Sequence, residues 1–283
     1  MQNNVIDTRL DGKVAVVTGA GGVLCSRFAR ILARAGARVA LLDIDLDCAR
    51  AVADEISLEG GCAAAYKCNV LDPRALALTA SAVEKELGKC DILINGAGGN
   101  NPGATTDKEY FETGDIEADV KSFFDLDPER VGFVFDLNFL GVLLPTQAFA
   151  RQMEGKEGCS IINISSMNAY TPLTKIPAYS GAKAAVSNFT MWLAVHFSRQ
   201  GIRCNAIAPG FFSTKQNASL LWREDGTPTE RTKKILAATP MQRFGRPEEL
   251  DGVLLFLLNN DAASFITGTV IPVDGGFSAY SGV

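Results

Sequence analysis

The chain alternates short apolar runs with longer amphipathic segments from Lys13 onward. Apolar runs that are rich in β-branched residues and bounded by turn residues are typical of strands, and the segments between them have the apolar spacing of helices. Such an alternation is typical of a parallel sheet with helices on both faces. We predict seven strands, at residues 14–17, 38–42, 63–66, 92–95, 160–164, 203–207 and 269–273. We predict six helices, at residues 23–35, 46–58, 73–87, 128–153, 178–199 and 247–258. The predicted fold class is therefore α/β, with a doubly wound, seven-stranded parallel sheet.

A single domain over residues 1–283 is expected to account for the whole chain. This length lies within the range of one large α/β unit, and the sequence has no internal repeat or low-complexity linker. Hydrophobic residues make up 47% of the chain and charged residues 21%, which is enough for a substantial core. The net charge of -5 and the lack of a Lys/Arg-rich run argue against a nucleic-acid or anionic membrane surface. We therefore expect a small-molecule substrate.

Neither a membrane location nor a metal site is predicted. No apolar stretch reaches the roughly 18 residues of a membrane span, and the polar start at residues 1–4 is not typical of a signal peptide. The seven cysteines contain no Cys-x-x-Cys pair, and His196 is the only histidine. We therefore expect free thiols, no metal, no serine–histidine triad and a cytoplasmic protein.

Two segments interrupt the alternation. Residues 100–127 are polar and acidic and follow the fourth predicted strand, at the carboxyl edge where doubly wound sheets bind ligands. We predict that they shape the rim of the active site, with a surface embellishment or subunit contact as an equal alternative. Residues 211–244 follow the sixth predicted strand and place aromatic residues among charges, so we predict a lid over the substrate, with a surface embellishment or subunit contact as the alternative.

Ser165, Tyr179 and Lys183 are the candidate acid–base residues. Tyr179 and Lys183 are four residues apart in a predicted helix and therefore share one face of it. A phenol loses its proton near pH ~10, and a neighbouring cation lowers that pKa by roughly 1 to 3 units. Ser165 follows the predicted strand at residues 160–164, whose carboxyl end presents a hydroxyl at the same edge. The three side chains indicate proton transfer on an alcohol or a ketone.

A glycine-rich turn predicts a nucleotide site. The first predicted strand runs into Thr18-Gly19-Ala20-Gly21-Gly22, and a helix follows. Glycines let a ligand approach the backbone, and the helix amino end offers free N–H groups to a pyrophosphate. Asp43 ends the second predicted strand, where a carboxylate accepts hydrogen bonds from the adenosine ribose and repels a 2'-phosphate. The predicted cofactor is NAD, with NADP disfavoured.

From about residue 10 to residue 277 the chain resembles the short-chain dehydrogenase/reductase family. The resemblance rests on motifs in family order: Thr18-Gly19, Asn95-Gly96-Ala97-Gly98, Asn138, Ser165, Tyr179, Lys183 and Pro209-Gly210. It implies a Rossmann-type fold, an oxidoreductase acting on a CH–OH group, and a homo-oligomer, commonly a tetramer. Segments 98–100, 104–107, 123–127, 166–169, 172–177 and 274–280 are similar to the D-mannonate oxidoreductase (fructuronate reductase) branch. That similarity implies NAD-linked interconversion of D-mannonate and D-fructuronate.

The family resemblance also implies residue roles. Asn138 would be the fourth catalytic residue, at a backbone kink where a water connects Lys183 to solvent. The family turn usually has glycine where this chain has Val23 and Cys25, and Asn69 stands where an Asp commonly bonds the adenine. The implied cofactor-binding residues are Gly19, Gly21, Gly22, Val23, Leu24, Asp43, Asn69, Val70, Asn95, Ala97, Gly98, Tyr179, Lys183, Pro209, Gly210, Phe212 and Thr214.

A sugar acid requires a cation for its carboxylate and polar partners for its hydroxyls, because an unpaired buried polar group costs about 1 to 3 kcal/mol. The candidate cations are Lys175, Lys215 and Arg223, and the candidate hydroxyl partners are Asn100, Asn168, Gln216 and Asn217. For each of them a solvated surface group is an equally good interpretation.

Three other functions stay open on the sequence. The apolar lid residues Phe211, Phe212, Leu220, Leu221 and Trp222 would suit a steroid or acyl chain. A polyol or ketogluconate dehydrogenase, such as gluconate 5-dehydrogenase, would share all the chemistry above. A nucleotide-sensing module would be expected to lack at least one of the four catalytic side chains, and all four are present.

Overall fold

The computed structural model describes residues 7–214 and 218–282. Every pair of neighbouring strands in its sheet is parallel, and the strand order is β3-β2-β1-β4-β5-β6-β7. The strands are β1 Val14–Thr18, β2 Arg38–Asp43, β3 Cys62–Lys67, β4 Ile92–Asn95, β5 Ser160–Ile164, β6 Arg203–Pro209 and β7 Val270–Val273. The predicted doubly wound, seven-stranded sheet in a single domain is confirmed, and each predicted strand boundary lies within two residues of the observed one.

Helices cover both faces of the sheet. The helices are α1 Val23–Arg34, α2 Leu46–Leu58, α3 Pro73–Glu86, α4 Pro128–Phe135, α5 Gly141–Phe149, α6 Pro177–Phe197, α7 Ala218–Leu221, α8 Glu230–Ala238, α9 Asp251–Leu258 and α10 Asn260–Ala263. One face packs against α1, α2 and α9, and the other packs against α3, α5 and α6. Because both faces are covered, β1, β4, β5 and β6 are buried along their whole length and their sequences are nearly continuous apolar runs.

The sheet order places a crevice at its centre. β1 pairs with β2 on one side and with β4 on the other, so the direction of winding reverses at β1. Ligands bind in such folds outside the carboxyl ends of the strands at this reversal. The loops that follow β1, β2, β4, β5 and β6 therefore converge on one site.

The segment Pro128–Met153 forms one long helical unit in which α4 and α5 are joined by a π-helical turn, Asp136–Leu140. Among residues 7–214 and 218–282 it is the one helix whose length and composition would suit a membrane span. It contacts α3, α6 and β4, and Val142 and Phe149 are fully buried in the domain. We therefore assign it as a core helix.

The two irregular segments follow the carboxyl ends of β4 and β6. Residues 100–127 contain 3-10 turns at Pro102–Ala104 and Phe123–Asp125 and are held by internal contacts such as Lys108 Nζ to Asp115, at 2.8 Å. Residues 211–244 contain α7 and α8. A salt bridge of 2.7 Å between Glu109 and Lys234 of α8 joins the two segments.

Candidate active site

The glycine turn after β1 approaches β4 closely. Gly19 has a φ of +64°, and a Cβ there would lie 2.9 Å from the Ala97 Cα. Thr18 Oγ1 accepts hydrogen bonds from the N–H groups of Gly96, at 3.0 Å, and Ala97, at 3.2 Å, which fastens the turns after β1 and β4 together. Gly22 is the N-cap residue of α1 and has no side chain that could cap the helix. The first N–H groups of this 12-residue helix are therefore available to an anion.

A cavity of about 590 Å³ runs along the carboxyl ends of the central strands, a volume within the usual range for a cofactor or substrate site. It brings together most of the predicted cofactor-binding residues: Gly19, Gly21, Gly22, Val23, Leu24, Asp43, Asn69, Val70, Ala97, Gly98, Tyr179, Lys183, Pro209 and Gly210. Phe212 and Thr214 line an adjoining cavity of about 310 Å³, which shares Val23, Leu24 and Gly210 with the first. Sequence reasoning missed Ile44, Cys48, Cys68, Gly96, Leu137 and Ile164, which also line the larger cavity.

Asp43 lies in the cavity wall at the end of β2. Its Oδ2 accepts a hydrogen bond of 2.8 Å from the Gly21 N–H, and its Oδ1 accepts one of 2.9 Å from the Asp45 N–H. A Cβ on Gly21 would lie 2.6 Å from the Cys48 Cβ and 3.1 Å from Asp43 Oδ2. Glycine is thus required where the turn passes this carboxylate.

The prediction that Asn95 binds the cofactor is wrong. Its side chain is buried outside both cavities, and its Nδ2 donates to Thr146 Oγ1 and to Asn163 Oδ1, each at 2.9 Å. Asn163 Nδ2 donates in turn to Thr190 Oγ1 at 2.9 Å. Side chains alternate between the faces of a strand, and Asn95 lies on the face that α5 and α6 cover. It therefore ties the sheet to the helices that carry the site.

The hydroxyl group beside Tyr179 belongs to Ser166, so the assignment of Ser165 to that position is wrong. Ser165 Oγ lies 2.7 Å from Ser187 Oγ and donates to the Lys183 carbonyl at 3.2 Å, so it is anchored to α6. Ser166 is the serine whose side chain acts on the Tyr179 phenol and lowers its pKa, although burial has the larger effect and raises this pKa above its usual value. Successive residues at a strand end point in opposite directions. That alternation separates the two hydroxyl groups, but it does not tell from the sequence which of them faces Tyr179.

Lys183 lies on the same helix face as Tyr179, as predicted, with its Nζ 5.7 Å from the ring centroid. The Nζ donates to the Ile164 carbonyl at 2.8 Å. Burial lowers the pKa of Lys183 to about 8. The expectation that Lys183 brings the pKa of Tyr179 below its usual value is wrong for this structure, because burial of the phenol outweighs other effects.

Asn138 occupies the π-helical turn, which confirms the predicted kink. Its Nδ2 donates to the Gly99 carbonyl at 2.7 Å and to the Val134 carbonyl at 2.8 Å, and its Oδ1 accepts from the Gly99 N–H at 3.3 Å. A Cβ on Gly98 would lie 2.7 Å from Asn138 Oδ1 and 3.2 Å from Lys183 Nζ. The absence of a side chain at Gly98 therefore lets the β4 turn pass both groups. The water connection to solvent stays a prediction.

The predicted substrate residues are distributed unevenly. Asn100 is exposed and donates to Thr105 Oγ1 at 2.9 Å, and Arg223 is exposed with Glu230 at 3.7 Å. Both fit the surface-group interpretation. Lys215, Gln216 and Asn217 lie outside the described residues.

Asn168 and Lys175 both lie in the stretch of sequence between Ser166 and Tyr179. Asn168 is 4% exposed and donates its backbone N–H to Ser166 Oγ at 3.2 Å. Its Oδ1 has no partner among the described residues. Lys175 is half-buried and has a φ of +73°.

Within the described ranges, no group of three or more His, Cys, Asp or Glu side chains could hold a metal ion. The seven cysteines are free thiols. Burial raises the pKa of Cys25, which lines the larger cavity, to about 12. This thiol is therefore protonated at neutral pH.

Comparisons with known proteins agree with this geometry. The family model adh_short_C2, described as Enoyl-(Acyl carrier protein) reductase, matches residues 21–278. A Haemophilus influenzae crystal structure with bound NAD, provisionally named a D-mannonate oxidoreductase, has a TM-score of 0.94 and 58% identity and covers 99% of this chain and 100% of its own. The oxidoreductase UxuB of Bacillus subtilis, named as uncharacterized, is 51% identical over 274 residues, 97% of this chain and 98% of that protein. The 7alpha-hydroxysteroid dehydrogenase of Escherichia coli K12 is 34% identical over 273 residues, 96% of this chain and 97% of that protein.

Proposed function

The chain belongs to the short-chain dehydrogenase/reductase family and is an oxidoreductase, and from that premise we propose that it interconverts D-mannonate and D-fructuronate with NAD. The observation that carries the proposal is that Tyr179 and Ser166 both lie on the wall of a nucleotide-sized cavity, where the Ser166 side chain acts on the Tyr179 phenol. The substrate is supported by the likeness to the Haemophilus influenzae protein and by the segments similar to that branch.

The cavity fits NAD. The uncapped amino end of α1 suits a pyrophosphate, and Asp43 suits the two hydroxyls of an adenosine ribose. Lys183 lies in the same cavity, where its ammonium would contact a ribose of the cofactor. A 2'-phosphate at Asp43 would meet a carboxylate, so NADP is disfavoured. When bound, the cofactor accepts or supplies the hydride.

Tyr179 moves the proton. Its raised pKa keeps it a phenol at neutral pH, so in the direction of reduction it is ready to donate to the carbonyl oxygen of the substrate. In oxidation the phenolate takes the proton of the carbinol. Ser166 donates a hydrogen bond to the same substrate oxygen and stabilises the developing charge, while Lys183, with a pKa near 8, is placed to exchange protons through the Asn138 turn.

The two irregular segments complete the proposed site. Residues 100–127 form its rim and residues 211–244 its lid, and the Glu109–Lys234 salt bridge holds the two together. Closure of such segments excludes water from the reaction.

A substrate panel tests the function. D-mannonate, gluconate, sorbitol and a 7α-hydroxylated bile acid are each offered with NAD, and NADH absorbance is followed. We expect mannonate to have the highest kcat/KM. A preference for gluconate or sorbitol would indicate a polyol or ketogluconate dehydrogenase instead. A preference for the bile acid would indicate an apolar substrate.

We further propose a cytoplasmic homo-oligomer, with a tetramer as the expected state. Met191, Trp192 and Val195 expose an apolar face on α6, with 47%, 55% and 78% of each residue accessible, which suits a subunit contact. Size-exclusion chromatography with light scattering measures the mass directly, and a monomer would contradict this proposal.

A further inference from the structure

Lys175 has an unusual backbone for its residue type. Its φ of +73° lies in the left-handed region, which a residue with a Cβ rarely adopts. The conformation is held from both sides: the Lys175 carbonyl accepts a hydrogen bond of 2.9 Å from the Thr106 N–H, and Pro177 begins α6 two residues later. Strained residues that the surrounding structure holds in place are concentrated at binding sites.

The ammonium group of Lys175 forms no ion pair with the described residues. Among residues 7–214 and 218–282, no hydrogen bond or salt bridge engages its ammonium, although the residue is half-buried. Glu109 is the carboxylate that this ammonium influences. Its direct partner is Lys234 at 2.7 Å, which has the largest effect in lowering the pKa of Glu109, and Lys175 adds a smaller effect. Because the direct partner of Glu109 is Lys234, Glu109 does not form an ion pair with Lys175.

The position of Lys175 joins this charge to the reaction site. It lies in the segment between Ser166 and Tyr179, and its carbonyl is bonded to Thr106 of the rim. Tyr179 follows four residues later, in the first turn of α6. A role in substrate binding requires that an anionic group bound at Lys175 belong to a molecule whose carbinol reaches the Tyr179 hydroxyl.

We propose that Lys175 binds the carboxylate of the substrate, and that this contact makes the enzyme select sugar acids over neutral polyols. The assignment rests on the proposed function, because it requires that the substrate be oxidised at a carbinol held by Tyr179. The proposal makes Lys175, in the segment between Ser166 and Tyr179, the residue that binds the substrate carboxylate. The exposed Arg223 is then not needed for this contact.

The test compares a hexonate with the hexitol of the same configuration, which has a CH2OH group in place of the carboxylate. Lys175→Met should raise the KM for D-mannonate by about tenfold to a hundredfold, the usual effect of losing a charge-assisted hydrogen bond. The kcat/KM for mannitol and the dissociation constant of NADH should change less than about twofold, which also reports that the fold is intact. Lys233→Met is the matched control, because Lys233 is an exposed lysine of α8 paired with Glu230, and it should leave the mannonate KM unchanged.

A second variant separates charge from backbone. Lys175→Gly relieves the left-handed strain but removes the ammonium, so we expect the same loss as in Lys175→Met. A mannonate KM that stays normal in Lys175→Gly, or that is equal in Lys175→Met and Lys233→Met, would overturn the assignment.

The failure of the proposed function has a different signature. If the wild-type enzyme oxidises another sugar acid in preference to mannonate, the mannonate proposal fails, and the same comparison on that acid and its alditol tests Lys175. If it oxidises only neutral carbinols, the carboxylate role of Lys175 is refuted while the oxidoreductase stands.

Discussion

Ser165 Oγ lies 2.7 Å from Ser187 Oγ and so fastens the end of β5 to the helix that carries Tyr179 and Lys183. The neighbouring Ser166 is the hydroxyl that reaches the Tyr179 side chain. We therefore propose separate tasks for the two adjacent serines, one in positioning the helix and the other in the reaction.

The two serines should respond differently to removal of the hydroxyl. Ser166→Ala should lower kcat by about a hundredfold to a thousandfold, because it removes a hydrogen bond to the charge that develops on the substrate oxygen. Ser165→Ala should lower kcat only a few-fold and reduce the free energy of unfolding by about 1 kcal/mol. Steady-state kinetics with chemical denaturation measures both effects, and the reverse order would restore Ser165 to the catalytic position.

The rate of oxidation should rise with pH. The pKa of Tyr179 is raised above 10 by burial, so the phenolate that accepts the carbinol proton becomes more abundant as pH increases. Reduction uses the phenol and should fall as pH passes that pKa. Initial rates in both directions, from about pH 7 to the highest pH at which the enzyme stays folded, test this sign. Ser166→Ala should shift the oxidation profile to higher pH, because Ser166 lowers the pKa of Tyr179; an oxidation rate that decreases with pH would refute the assignment.

Cofactor choice should depend on Asp43. Asp43→Ser removes the carboxylate that would repel a 2'-phosphate, so we expect the NAD to NADP preference to fall by about tenfold or more. The ratio of kcat/KM for the two cofactors is the measurement. Asp45→Ser is a suitable control, since Asp45 caps the amino end of α2 without lining the cavity. Wild-type protein that prefers NADP would contradict the role of Asp43.

Asn95 should matter for stability and not for cofactor binding. Asn95→Ala breaks the hydrogen bonds to Thr146 and Asn163 and leaves their buried polar atoms short of partners, which costs about 1 to 3 kcal/mol. Denaturant unfolding should show this loss, while the dissociation constant of NADH stays within about twofold. A large rise in that constant with unchanged unfolding would place Asn95 at the cofactor after all.

The sequence predicted the architecture and most of the residues in the cavity wall, because the apolar runs show where each strand ends. Asp43 and the Gly19–Gly22 turn come directly after apolar runs, and in a parallel sheet such positions meet at one edge. Helical spacing predicted that Tyr179 and Lys183 share one face of a helix, and the surrounding motifs made them candidates for the reaction. The family motifs located Asn138, and the π-helical turn explains why an asparagine is needed there.

The sequence could not predict features that depend on the direction in which a side chain points or on how deeply it is buried. The side chains of Ser165 and Ser166 point in opposite directions from the end of β5. The order of the family motifs does not tell which of the two faces Tyr179. Asn95 matches a family motif but faces the helices. The pKa of Tyr179 depends on how deeply its ring is buried, and this is a property of packing rather than of its distance from Lys183 in sequence. The left-handed backbone of Lys175 also has no sequence signal, since lysine does not favour that conformation.

The most direct test of the central claim is the reduction of D-fructuronate by NADH with wild-type enzyme and with Tyr179→Phe. We predict that wild type forms D-mannonate with loss of NADH absorbance, and that Tyr179→Phe binds NADH normally but loses at least about a thousandfold in kcat. No NADH consumption by the wild-type enzyme, or near-normal turnover by Tyr179→Phe, would contradict the account.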